Sequence, residues 1–322
     1  MVRKISIILL FFIIVNFPMV KTYSYCFNNS SSYYSLIESN KDDYNTCMKQ
    51  DLLILMMSYP EFITDIVLEN NNVYIVMKSG KKFIYDDKKV KTPEEKLANP
   101  DLQDMLEQIY PLNKTNEIMP KDFNPGRVRH YGLLNEVYGS SQNIIEKNLC
   151  SLKYGYTNYQ FNSKNNANIA LEDTMKELVP LGQKNNKVAA LLYPASGTYN
   201  YRLISGTGRL SPHAYGITID LKSDKRDYWK WSTIDQGKSR LSEYPEELVS
   251  AFENHNFIWG GKWGHFDILH FEYRPEIILK ARYFGNHNDN EQWFKGVPLD
   301  NDSVKEYIDL IDSKITEKEV SQ

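Results

Sequence analysis

The sequence predicts an α+β chain, an antiparallel sheet with flanking helices, and three observations lead there. Two stretches alternate apolar and polar residues at the period of a strand: Val73, Ile75 and Met77, then Ile217, Ile219 and Leu221 against Thr218, Asp220 and Lys222. Others repeat at the period of a helix, as Leu102, Met105, Leu106 and Ile109 do, and Leu171, Met175 and Leu178. Short turn signals separate these segments and leave antiparallel pairing open.

In chain order, the first element is not part of the fold. Arg3 and Lys4 precede an apolar run from Ile5 to Phe17, and polar residues follow to Ser24. This is the layout of a secretory signal peptide cleaved near Ser24–Tyr25. The run is short for a membrane span of ~20 residues, so an uncleaved anchor is the alternative. Expected localisation is secreted, periplasmic or cell envelope. Without residues 1–24 the chain loses three bases and no acid, which takes its net charge from −3 to −6. A mildly acidic, mixed-charge surface argues against nucleic acid or an anionic membrane as partner. A monomer is expected.

Leu52–Met57 reads as a short buried helix. Residues 64–86 read as strands, with Ser79-Gly80-Lys81 as a hairpin turn before a strand at Lys82–Tyr85. Thr92-Pro93-Glu94-Glu95 combines a cap, a first-turn proline and acidic residues where a helix begins. That helix breaks near Asn99-Pro100. Pro120–Gly126 is a loop. Helices are expected at Val128–Tyr138, Ile169–Val179 and Pro245–Glu253, a buried strand at Val188–Tyr193, and a β-rich segment at Phe266–Tyr273. The domain reading is 1–24 signal peptide, 25–120 an N-terminal helix and hairpin region, 121–285 the catalytic domain, and 286–322 a peripheral charged tail. Cys26 and Cys47 can bridge in an oxidising compartment, which leaves Cys150 over; three idle thiols fit equally well.

The chemistry concentrates in two segments, Ser211-Pro212-His213-Ala214-Tyr215-Gly216-Ile217-Thr218-Ile219-Asp220 and Trp263-Gly264-His265-Phe266-Asp267-Ile268-Leu269-His270-Phe271-Glu272. A catalytic zinc needs three neutral or anionic protein ligands and one open position. His213, Asp220 and His270 supply three, and Asp267 remains to take a proton from water. In an ideal strand, positions 267 and 270 face opposite ways, so a bend must bring both to one site. Tyr228, Trp229 and Trp231 read as buried packing more readily than as a stacking wall for sugar or peptide.

The pattern SxHxxGxxxD followed by DxxHFE resembles the D-alanyl-D-alanine carboxypeptidase-like zinc peptidases, which include vancomycin-resistance D,D-peptidases and phage L-alanyl-D-glutamate endolysins. The flanks Asn124–Arg129, Gly197–Arg202, Phe257–Trp263 and Arg274–Glu276 look like one bacterial branch of that family, and the resemblance spans roughly residues 90–280. It implies a hedgehog-like core and one zinc ion on His213, Asp220 and His270. It also implies Asp267 as general base and Arg202 as the group that stabilises the oxyanion. Ser211 and His265 would touch substrate or support the ligands. Thr218 stands where the family has alanine. The implied substrate is the peptide stem of peptidoglycan, cut either between D-alanines or between L-Ala and D-Glu. The rival readings are a non-catalytic, zinc-stabilised cell-wall binding module and a general protein protease.

Overall fold

The apolar run at Leu52–Met57 forms the last part of a longer helix, α1 (Lys41–Ser58). Leu52, Leu53, Ile54 and Leu55 have no exposed surface, because neighbours cover this helix on more than one side. The computed structural model describes residues 41–154, 157–285 and 292–315, and these fall within one compact unit. The signal peptide expected at 1–24 and Cys26 lie outside the described residues.

After α1 come β1 (Ile63–Glu69), β2 (Asn72–Met77) and β3 (Lys82–Ile84), an antiparallel meander. Val73, Ile75 and Met77 are buried as their alternation implies, and Gly80 turns the chain at φ +84°. α2 (Pro93–Ala98) begins with the expected reciprocal cap: Thr92 accepts from the Glu95 amide, and the Glu95 side chain accepts from the Thr92 amide. α3 (Leu102–Leu106) follows the predicted break.

The second half opens with α4 (Tyr131–Tyr138) and α5 (Gln142–Asn148). A hairpin of β4 (Leu149–Tyr154) and β5 (Thr157–Asn162) comes next. Its half-exposed, Tyr- and Asn-rich strands carry little apolar alternation to read. α6 (Ala167–Lys184) extends the expected amphipathic helix at both ends. The segment Val188–Tyr193, expected as a strand, is instead a helix, α7 (Asn186–Leu192), capped by the Asn185 side chain. A short apolar run fits either element, and the cap together with Ala189 and Ala190 favours the helix.

The third sheet carries the chemistry. β6 (Thr218–Asp220), β7 (Phe257–Trp259) and β8 (His270–Tyr273) pair antiparallel in the order β6-β8-β7. α8 (Ile234–Leu241) and α9 (Glu246–Asn254) lie between β6 and β7 in sequence. Phe271 points away from the ligand face and stacks on Phe252 of α9, with ring centroids 4.0 Å apart. α10 (Pro275–Phe284) packs on α1. The segment expected as a peripheral charged tail contains α11 (Asp302–Lys314), which buries Val304, Ile308 and Ile311 against α1 and β1. One apolar stripe among many charges is enough to dock a helix. The architecture is thus α+β with three small antiparallel sheets in place of one.

His130 caps α4. Its Nδ1 accepts from the Leu133 amide at 3.0 Å, and its ring meets Phe83 edge-on at 4.8 Å. Burial pushes its pKa down to about 4, so the native ring stays neutral where an unfolded chain titrates near pH 6.5. The stability this group confers is complete above about pH 6.5 and is lost as pH falls towards 4. Between pH 7 and 5 the loss should be about 2 kcal/mol. His130→Asn keeps an acceptor that does not titrate, so urea unfolding of the variant should show a correspondingly smaller acid loss. Equal losses in both proteins would refute the assignment.

Candidate metal centre

Strand register brings two of the three expected ligands together. Asp220 stands directly opposite His270 in the β6–β8 pair, so both side chains leave the same face of the sheet at close range. The His270 Nδ1 lies 2.9 Å from Asp220 Oδ1. His213 arrives on a 3-10 turn, Pro212–Tyr215, which ends at Gly216 with φ +68°. A side chain at 216 would meet Leu149 Cδ2 at 2.6 Å, so the glycine that separates the ligand histidine from its strand is required for both conformation and space.

The Nδ1 of His213 sits 2.5 Å from the Thr198 carbonyl. A proton on Nδ1 fixes the ring and leaves Nε2 free to coordinate. That Nε2 is 3.2 Å from Asp220 Oδ2. The three side chains place ligand atoms within 4.8 Å of one another. Zinc bonds of about 2.0–2.2 Å give a tetrahedron with edges near 3.3 Å, so these donors fit the ion with little rearrangement. Burial opposes ionisation of Asp220, yet its hydrogen bonds to both histidines hold its pKa well below the usual carboxylate range.

The bend demanded by positions 267 and 270 is a tight turn. The His270 amide donates to the Asp267 carbonyl at 3.1 Å, and β8 begins only at His270. Asp267 is held from two further sides. Its amide donates to the Gly260 carbonyl at 3.0 Å, and it bridges Tyr228. A Cβ on Gly260 would come within 2.4 Å of the Asp267 carbonyl oxygen, so the glycine allows the backbones to touch. Burial pushes the Asp267 carboxyl up to about 6, a rise that His270 opposes and Asp220 reinforces. A carboxyl so poised can accept a proton near neutral pH.

Behind His270 stands Glu272, on the same face of β8 and with no exposed surface. Its Oε2 lies 3.6 Å from His270 Nε2. Arg129 grips it through Nε at 2.8 Å and Nη2 at 2.5 Å. Arg274, also fully buried, approaches at 3.4 Å. Burial alone would raise the pKa of Glu272, but the two arginines and His270 hold it well below the normal range. A carboxylate behind a ligating imidazole orients the ring and increases its basicity.

The remaining expected residues fare unequally. Ser211 is buried, and its backbone accepts from the Ala214 amide and donates to the Arg202 carbonyl. Arg202 is exposed, and its guanidinium has no hydrogen-bond or ion-pair partner among the described residues. His265 bonds Asn124 and meets Trp229 edge-on at 4.4 Å, so it secures a loop beside the ligand group. Trp231 is 79% exposed and is not the buried packing that was expected. The flank from Gly197 to Asn200 proves to be scaffold: Gly197 pairs with Asp220, Thr198 with His213, and the Asn200 amide donates to the His213 carbonyl. Sequence reasoning gave no role to Arg129, although it lies in the Asn124–Arg129 flank that resembles the family. In a second carboxylate group, Asp86, Asp87 and Asp101, the Lys91 ammonium lies 3.0 Å from Asp87 and 2.8 Å from Asp101 and also reaches Asp104 at 2.6 Å, while Asp86 accepts from the Tyr44 hydroxyl at 2.8 Å. It is an internal ion cluster.

Two histidines and a carboxylate around one point, with a second carboxylate on an adjoining turn, define a site suited to metal-assisted hydrolysis. Residues 205–273 match the family model described as D-alanyl-D-alanine carboxypeptidase. The matched segment contains His213, Asp220, Asp267 and His270 and is similar to that peptidase family. No curated protein and no solved structure matches the chain, and the hedgehog-like core remains an implication of the sequence. Arg127, Arg129 and Arg202 lie outside the matched segment.

Glu272→Gln keeps the side-chain shape and removes its charge. Zinc affinity should fall roughly 10- to 100-fold, as read by competition with a chelator on protein whose circular dichroism is unchanged. Unaltered affinity in folded protein would show that Glu272 serves only the arginines.

Proposed function

We propose that this protein is a secreted zinc peptidase that cleaves peptide bonds in the stems of bacterial peptidoglycan. The observation that carries this reading is the convergence of His213, Asp220 and His270 with Asp267 on the turn beside them. His213 through Nε2, His270 through Nδ1 and the Asp220 carboxylate would hold one zinc ion. When bound, zinc supplies Lewis acidity and makes water a stronger acid. Asp267 accepts the proton of the attacking water and returns it to the leaving amine. Glu272 holds His270 in orientation and the Thr198 carbonyl holds His213. Arg202 is proposed to swing to the oxyanion when substrate binds, since nothing else engages its guanidinium. No helix among the described residues is long and apolar enough to cross a membrane, and secretion would rest on residues 1–24.

Asp267→Ala should keep near-stoichiometric zinc and lose hydrolysis by about 10²–10⁴-fold, whereas His270→Ala should lose both. Metal content and turnover of purified cell wall measure the two effects. Full wall-cleaving activity in Asp267→Ala would sink the mechanism. Mass spectrometry of the muropeptides released by the wild type identifies the bond, since a new D-Ala terminus and a new D-Glu amine differ in mass pattern.

A further inference from the structure

The loop from Asn124 to Arg129 is tied down at almost every residue. The Asn124 side chain accepts from the His265 amide at 2.8 Å. The Pro125 carbonyl accepts from Trp263 Nε1 at 2.7 Å. Arg274 donates to the carbonyls of Gly126 and Val128, and Arg129 donates to the Arg127 carbonyl at 3.0 Å while it holds Glu272. One end of the loop is thus bonded to the segment before Asp267 and the other to the carboxylate behind His270.

Arg127 sits between these anchors. Its backbone is fixed, it is half-buried, and its guanidinium has no hydrogen-bond or ion-pair partner among the described residues. It lies within electrostatic reach of Asp267 and Tyr228, and also of Arg129 and Arg209. Burial, with the like charges of Arg129 and Arg209, pushes its pKa down to about 10, so it remains a cation at neutral pH. A half-buried cation that touches no carboxylate among the described residues, with Asp267 acting on it only at longer range, favours an anion that arrives to meet it. Structural arginines in this molecule show the contrast: Arg129, Arg240 and Arg274 each bind a carboxylate.

We propose that Arg127 binds a carboxylate of the substrate, the one carried by the residue that leaves when the peptide bond is cut. The inference rests on the peptidase reading above and deepens it. Both candidate bonds present that group in the same place. The departing D-alanine of a D-alanyl-D-alanine terminus carries a free α-carboxylate, and so does a γ-linked D-glutamate cut from L-alanine. A guanidinium presents paired donors in a planar fork that matches a carboxylate, and its rigid mounting keeps that fork beside the base.

The test uses zinc-loaded full-length protein and two pairs of peptides. One pair ends in D-Ala-D-Ala as the free acid or the amide. The other carries L-Ala-γ-D-Glu with its α-carboxylate free or amidated. On the pair that the wild type cleaves, KM should favour the acid by roughly 10- to 100-fold. Arg127→Ala should raise KM for the acid by that factor, change kcat little and leave the amide unaffected; Arg127→Lys should recover part of the loss. Zinc content and circular dichroism establish that the variants are folded. Equal effects on acid and amide, a fall in kcat alone, or no effect would each overturn the proposal. Absence of cleavage by the wild type on all four peptides would defeat the functional reading instead. In that case calorimetric binding of the same peptides decides this one: no preference of the wild type for the acid forms, or a preference that survives in Arg127→Ala, overturns it.

Discussion

The candidate metal centre depends on keeping the Glu272 carboxylate ionised in a place that water does not reach. An isolated buried charge is strongly unfavourable, and removing one partner of a buried pair costs about 3–5 kcal/mol. Arg129 and Arg274 meet that requirement together. Because two cations surround it, Glu272 retains its charge and can face His270 as an anion. The imidazole is then constrained from both sides, with Asp220 at one nitrogen and Glu272 at the other. Orientation of the ligand is therefore an electrostatic consequence of residues that do not themselves approach the metal position.

Two local devices then assemble the reactive groups. Antiparallel register sets Asp220 against His270, and a tight turn sets Asp267 three residues ahead without the reversal of face that a continuous strand would impose. Glycines make room for both turns: at Gly216, which ends the histidine turn, a side chain would meet Leu149, and at Gly260 the backbone of Asp267 comes close. The separation of roles follows from this. The Asp220 carboxylate lies within bonding distance of both histidine rings, whereas the Asp267 carboxylate acts on those rings only through its charge. This difference supports the proposed division, with one carboxylate as a ligand and the other as a base.

Much of this was legible because it is local. The alternation through Ile217, Ile219 and Leu221 located β6 and put Asp220 on its polar face, and the need for a bend before His270 was visible from strand geometry. The flanking helices with clear stripes, such as that through Leu171, Met175 and Leu178, also appeared where expected. The misreadings have physical causes. Val188–Tyr193 is too short and too uniformly apolar for its period to separate helix from strand, and the charges of α11 mask its single buried stripe. The pairing of Arg129 with Glu272 spans 143 residues, and no local pattern reveals which distant charge a buried arginine will meet. Arg202 was legible as a motif residue, but its exposure depends on how the chain around it packs.

The same long-range logic explains why the N-terminal region cannot be treated as an appendage to the metal centre. Tyr59, just after α1, donates to Glu276 at 2.8 Å. Glu276 holds Arg274 at 2.5 Å; Arg274 approaches Glu272, and Glu272 faces His270. Asp51 of α1 meets Lys280 of α10 at 2.5 Å and receives the Tyr85 hydroxyl from the end of the first sheet. Every group in the first of these chains is buried, so none can exchange its partner for water without a large cost. α1 and the residue that follows it thus fix the position of α10 and of the arginine that stabilises Glu272. Loosening α1 would reach the metal ligands through this network of buried charges before it exposed any part of the site itself.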